Sequence, residues 1–321
     1  MKEAVFVKRN SGRWRSYEEI HTDDPDELTS RFIALTDDLS YARTFYPGSP
    51  VLKYINGLTS DLHRKLYSNR REDSGRIKTF WMYELPLISF QARHNLLYAF
   101  LFFTVAFLIG SVSAANDETF IRLILGDAYV NQTLENIQKG DALAIYKSQG
   151  SADMFLAITI NNIRVSFMAF ASGILFSAGT LFVMLQNGIM LGAFQYFFYE
   201  KDLLVQSVLT IWIHGTLEIS AIIIAGAAGL TMGNSLLFPE TYSRLDSFKS
   251  GAKKGLKLAI GLVPVFITAG FLESFVTRLT LPVWASISVI SVSAVFILWY
   301  FVIYPYRLYG SKTRSGDQNF L

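Results

Sequence analysis

His214 and Glu218 stand four residues apart in the run Leu203–Leu237, where Glu218 is the only charge. That spacing places an imidazole and a carboxyl one turn apart on a single helical face. Glu273 is the only charge between Leu258 and Thr277, and Arg164 opens another apolar run directly after Asn161, Asn162 and Ile163. An ionised, unpaired carboxylate in hydrocarbon costs at least about 2.5 kcal/mol, so each of these groups must face protein, keep a proton or find a partner. One economical arrangement pairs Arg164 with Glu218 or Glu273, with His214 adjoining. Such a cluster is either an ion pair that fixes helix register or a proton- or ion-linked site. Metal binding is a third use of these residue types. His-x3-Glu supplies two ligands, but no His-Glu-x2-His pattern and no third histidine nearby completes a set, so no metal is assigned. No catalytic residue or cofactor is assigned either. The chain has no Gly-x-Ser-x-Gly elbow, no Gly-x4-Gly-Lys-Ser/Thr loop and no cysteine.

The elements that must carry these residues are apolar. Hydrophobic residues make up 51% of the 321 and charged ones only 17%, against about 25% charged in soluble domains, which argues against a soluble enzyme. A net charge of +3 is too small to argue for nucleic acid. The charges are unevenly spread: residues 1–93 hold 15 Lys/Arg and 13 Asp/Glu, more than half of the total. Beyond them, Asn95–Ala115, Val165–Tyr199 and Leu279–Tyr306 are charge-free. A spanning helix needs about 20 apolar residues. The sequence therefore predicts an all-α, polytopic helical membrane protein with about six transmembrane helices, near 95–115, 165–185, 187–200, 203–230, 256–276 and 283–304. The third is short or broken, because the Gln186-Asn187-Gly188 break leaves only 13 residues, about 20 Å.

Charge decides whether that short piece crosses or is re-entrant. If it crosses, both termini share a side holding 23 Lys/Arg (residues 1–93, 231–257 and 305–321). The other side holds five, namely Arg122, Lys139, Lys147, Lys201 and Arg278, with Arg164 near its edge. The positive-inside rule then puts both termini in the cytoplasm. Met1–Asn10 lacks the apolar core of a secretory signal, so the first span is expected to act as an internal anchor. Phe80, Trp81, Tyr83 and Phe90 before the first span, and Trp299, Tyr300, Tyr304 and Tyr306 at the last, read as interfacial aromatic belts.

Residues 1–93 are expected to form a cytoplasmic helical hairpin domain, 94–304 the membrane domain and 305–321 a cytoplasmic tail. In the head, Asp23-Asp24-Pro25 and Ser49-Pro50 are helix starts. Phe32, Leu35, Leu39 and Ala42 form one apolar stripe, and Val51, Ile55, Leu58, Leu62 and Leu66 a second. The polar faces carry Arg43, Lys53, Arg64, Lys65, Arg70 and Arg71, a basic surface open to solvent, anionic lipid or a partner. The external loop 116–153 carries six acids against three bases. Its apolar residues Ile121, Leu125, Leu134, Ile137, Leu143 and Ile145 suggest short amphipathic helices that cap the outer face or meet a partner.

Small residues mark where helices approach closely in lipid. They are Gly173-x3-Ser177, Gly188-x3-Gly192, Gly215 and Ala225-x3-Gly229-x3-Gly233. Such faces pack within one chain or between two, and they make a homodimer an open option. The fourth span is longer than the membrane core and must tilt, protrude or break near Gly215; a break beside His214 and Glu218 would open a polar cavity.

The order of several short motifs resembles the stage II sporulation protein M family of prokaryotic membrane proteins, over nearly the whole length. In the head these are Trp14, Tyr41-Ala42-Arg43, Tyr54-Ile55-Asn56-x-Leu58, His63-x2-Leu66-Tyr67 and Phe90-x2-Arg93. The membrane part adds Asn161-Asn162-Ile163-Arg164-Val165-Ser166-Phe167, Phe170-Ala171-Ser172-Gly173-Ile174 and Asn187-Gly188-x2-Leu191-Gly192. His214-Gly215-x2-Glu218-x2-Ala221 and Phe271-Leu272-Glu273-Ser274-Phe275-Val276-Thr277 complete the set. The resemblance implies a non-enzymatic protein of the prokaryotic cytoplasmic membrane. Similar proteins assemble with peptidoglycan-degrading partners during engulfment in spore formers, and elsewhere are encoded near MoxR-type AAA ATPases. The expected role is a scaffold or subunit of an envelope complex, with protein partners at the head and external loop. The alternative is a proton- or ion-linked transporter or channel built on His214, Glu218, Glu273 and Arg164.

Overall fold

The structure is a computed structural model that describes residues 2–20, 22, 24–68, 75–140, 144, 151–279 and 281–314. Among these residues the chain is helical throughout, without strands. It divides into two compact units, Met1–Ile77 and Lys78–Leu321. The division falls ahead of the boundary near residue 93 that charge alone suggests, because residues 80–91 pack with the membrane helices.

The first unit contains α1 (Glu3–Glu19), α2 (Pro25–Phe45) and α3 (Pro50–Ser68). Asp24 caps α2 by accepting from the Asp26 amide, with Pro25 at the first helical position. Asp23, Arg70 and Arg71 lie outside the described residues. The two apolar stripes meet as expected, burying Leu35, Ala42, Ile55 and Leu62. The hairpin is joined by α1, which the periodicity did not reveal: Phe6 and Trp14 enter the same core. Trp14 Nε1 donates to Asp38 Oδ2 at 2.8 Å, satisfying the indole of a nearly fully buried ring.

The second unit has six helices long and apolar enough to cross a membrane. They are α5 (Arg93–Asn116), α8 (Ser151–Ile174), α9 (Ala178–Glu200), α10 (Leu204–Leu237), α11 (Arg244–Val276) and α12 (Val283–Gly310). A short helix, α4 (Leu85–Gln91), precedes them, and α6 (Glu118–Leu125) and α7 (Asp127–Gln138) follow α5. The chain is a multi-pass membrane protein of the all-α class.

Two expected spans require correction. The second is 151–174, not 165–185, and the third is a full 23 residues rather than short or broken. Arg164, taken as a boundary charge, lies inside α8. The break falls at Leu175-Phe176-Ser177, where Phe176 and Ser177 adopt positive φ of 51° and 67°. No proline or asparagine–glycine pair marks that turn, so it leaves no trace in composition.

The burial pattern separates centre from rim. More than half of the most apolar stretch of α10 is buried, against about a fifth in α5 and α12. Leu97, Phe100, Leu101 and Val105 of α5, and Ile287, Val292 and Val295 of α12, point outward, as lipid-facing residues do. Glycines set the closest approaches. A methyl on Gly192 would overlap the Phe107 carbonyl, and one on Gly188 would meet Ala106, so α9 lies backbone-to-backbone against α5. Gly229 meets Thr180 and the Ala169 carbonyl in the same way, and Gly173 meets Gly229. These contacts lie within one chain and carry no argument for a dimer. Gly215 differs from the others. It sits inside an unbroken 34-residue helix, about 51 Å long, and its nearest neighbour for an added methyl is Ile211 Cγ2 at 3.9 Å. Of the three options for the fourth span, the break near Gly215 does not occur; tilt or protrusion is left to accommodate a helix longer than the roughly 30 Å core.

An intramembrane His–Glu–Glu site

Three helices build the site. α10 presents His214 and Glu218 one turn apart, as their spacing requires. α11 supplies Glu273 from a π turn, Leu272–Val276, in which Thr277 N bonds Leu272 O at 2.8 Å. The wider turn brings Glu273 and Thr277, four residues apart, towards a common side, and π turns recur at functional positions. α8 contributes Asn162, buried to 4% exposure. Ligand atoms of His214, Glu218 and Glu273 all lie within 4.8 Å of one another, and His214 Nε2 is 3.8 Å from Glu273 Oε2.

Hydrogen bonds around the ring orient it. His214 Nδ1 is 3.1 Å from Thr277 Oγ1, and Thr277 Oγ1 donates to the Leu272 carbonyl at 3.1 Å. A threonine hydroxyl has one hydrogen. With that hydrogen on Leu272 O, Oγ1 accepts from Nδ1–H, and Nε2 carries its lone pair towards Glu273. The Asn162 carboxamide faces Glu218, although its Nδ2 makes no hydrogen bond of standard geometry. Thr159 Oγ1 and Ser166 Oγ, on the same face of α8, and Ser274 Oγ beside Glu273 are likewise buried without hydrogen-bond partners.

Of the residues expected here, His214, Glu218, Glu273 and Asn162 converge, while Arg164 and Asn161 do not. Both of the latter are exposed, and the expected Arg164–glutamate pair is not formed. The reason is helical geometry: residues two apart point to nearly opposite faces, so with Asn162 turned inward, Arg164 is turned out. The third group of the cluster, for which no histidine was available, is Glu273, 55 residues downstream of Glu218. Thr277 was visible only as the last residue of a motif; nothing local marked it as the group that sets the tautomer.

A second polar network was not anticipated. Asn95 Nδ2 donates to Thr231 Oγ1 at 2.9 Å, and Asn234 Nδ2 donates to Asn95 Oδ1 at 2.9 Å, tying α5 to α10. Two of the aromatic residues read as interfacial belts, Tyr300 and Tyr304, also bond specifically, and Tyr309 beyond them does the same. Tyr300, Tyr304 and Tyr309 of α12 donate to the carbonyls of Trp81, Met82 and Tyr83 at 2.6, 3.0 and 3.0 Å. These carbonyls belong to the π turn Phe80–Glu84 ahead of α4, where Glu84 also pairs with Lys257. Helices α6 and α7 cap α9: Ile121 and Val130 pack with Phe197 and Phe198. Leu143 and Ile145 lie outside the described residues.

No curated protein and no solved structure matches the chain. Residues 4–68 match a domain of unknown function (DUF8413), which takes in the three head helices. Residues 99–278 match Stage II sporulation protein M, a stretch that runs from α5 to Arg278 and contains every residue of the His–Glu–Glu site. With more than half of its length matched, and the helical membrane unit described above, the chain belongs to the Stage II sporulation protein M family.

Proposed function

We propose that the protein is a non-enzymatic subunit of a complex in the prokaryotic cytoplasmic membrane, serving in the cell envelope as a scaffold between cytoplasmic and external partners. The observation that carries this reading is the head: 1–77 forms a compact unit around its own core. Its exposed surface includes Arg43, Lys53, Arg64 and Lys65, with Phe45 and Ile33 among exposed apolar residues. Charge supports placing both termini in the cytoplasm. Lys249, Lys253, Lys254 and Lys257, on the first half of α11, fall on the same side as the head's basic residues. Crosslinking and pull-down of the full-length protein from native membranes tests the scaffold. Specific partners should be recovered and should be lost on charge reversal at Lys53, Arg64 and Lys65. Recovery of the protein alone, with the head intact, would overturn it.

The converging site favours a second reading, proton- or ion-linked passage through the membrane unit. Its test is flux in proteoliposomes, which Glu218→Gln and Glu273→Gln should abolish. Flux indifferent to both changes removes that reading.

A further inference from the structure

We infer that His214, Glu218 and Glu273 form a binding site for a divalent transition-metal ion of the zinc class, held within the membrane unit. The argument begins with charge. Two carboxylates and an imidazole lone pair facing one another are mutually unfavourable unless protons or a cation lie between them. A divalent ion with two carboxylates and a neutral histidine gives a set of zero net charge, which suits surroundings of low polarizability. The donor set, one nitrogen and two oxygens, belongs to ions that accept imidazole and carboxylate together.

Geometry supports the same ligand. Ligands about 2.0–2.2 Å from a tetrahedral zinc lie about 3.3–3.6 Å from each other, so atoms now within 4.8 Å need to close by at most about 1.5 Å, a shift that rotation of the two glutamate side chains supplies. The Thr277 oxygen accepts from Nδ1–H, which keeps the lone pair on Nε2 and directs it to the Glu273 side of the site. Metal-bound histidines are usually oriented this way, by a hydrogen bond from the other ring nitrogen. Asn162 is an independent pointer. It is a carboxamide more than nine-tenths buried, directed at Glu218, with an amide nitrogen that has no standard hydrogen bond. A Glu218 carboxylate held at one oxygen by the ion presents its other oxygen to that amide.

This inference names what the site binds and stands apart from the scaffold reading, which rests on the head. It also does not require transport, since a held ion and a moving one differ in flux.

The test is metal analysis and equilibrium Zn2+ binding on the full-length protein in detergent, after chelator treatment and gel filtration. Wild type should take up one Zn2+ per chain. His214→Ala and the near-isosteric pair Glu218→Gln/Glu273→Gln should lose at least tenfold in affinity while eluting as wild type. Thr277→Val leaves every ligand in place but frees the ring, and should weaken binding about 10–100-fold, with Thr277→Ser restoring it. Uptake of no Zn2+ by monodisperse wild type overturns the inference and leaves protons as the site's only positive charge. So does binding that survives Glu218→Gln/Glu273→Gln. If the glutamine pair misfolds, the Thr277→Val and Thr277→Ser comparison decides: equal affinities in the two overturn it. Zinc bound with no partners recovered would sink the scaffold alone, and partners without zinc would sink the metal site alone.

Discussion

Gly192 and Gly215 show how differently two glycines in spanning helices are used. Gly192 admits the Phe107 carbonyl where its own side chain would be, whereas a methyl on Gly215 would make only an ordinary van der Waals contact with Ile211. Gly192→Ala should therefore force α9 from α5 and lower the stability of the membrane unit by about 1–3 kcal/mol, as overpacking does. Gly215→Ala removes only backbone freedom and should be neutral or stabilising by up to about 1 kcal/mol. Thermal unfolding in detergent compares the two, and equal destabilisation would refute this account. The sequence marked both glycines alike, since a small residue in an apolar run shows that a close approach is possible and not that it occurs. The polar residues divided the same way. His214 and Glu218 were legible as a pair because four-residue spacing fixes their common face. Glu273 joined them only through the packing of α11, and Arg164 was misplaced because residue type says nothing about which way a helix is rotated. In the head, the Thr22 hydroxyl and then the Arg31 guanidinium hold the Glu27 carboxyl below its usual range. A carboxylate lowered by folding contributes its stability above the unfolded value of about 4.3, and loses it as pH falls through the folded value. The opening free energy of α2, from hydrogen exchange corrected for the intrinsic pH dependence of amide exchange, should thus be flat from neutrality to about pH 5 and fall below it, with a smaller fall in Glu27→Gln.

At the scale of elements, the number of spans was legible and their ends were not. Apolar length sets the count, but the α8–α9 turn depends on two residues in left-handed conformation, Phe176 and Ser177. Each such residue costs about 1–3 kcal/mol, which the surrounding packing must over-determine. Gly173 and Ser177 press against Gly229 and Gly233 of α10 there, so α10 is what holds the turn. Tyr300, Tyr304 and Tyr309 are a second such case. Their sequence position suits a membrane interface, yet each hydroxyl reaches a specific carbonyl. Tyr300→Phe, which deletes one bond and little volume, should cost about 1 kcal/mol. Phenylalanine at all three positions should depart from additivity because the sites adjoin, as read from thermal unfolding in detergent. No loss in the triple variant would reduce these rings to interfacial anchors.

For the molecule as a whole, two units with separate cores predict separate transitions. Trp14→Ala removes the largest ring of the head core and should lower the head's stability by about 3–5 kcal/mol. The transition of 78–321 should stay in place when both are followed by hydrogen exchange. Coincident loss in both units would show that they unfold as one. The π turn at Phe80–Glu84 gives this division a mechanical meaning. Its carbonyls are held by three α12 hydroxyls, and Glu84 is held by Lys257 of α11. A pull on the chain from the head side meets these attachments before it meets α5. They share the load in parallel and pass it to the last two spans. The first span is thereby shielded from tension, and residues 80–91 act as a cleat by which the membrane helices can be tugged as a block without being unravelled from their amino-terminal end.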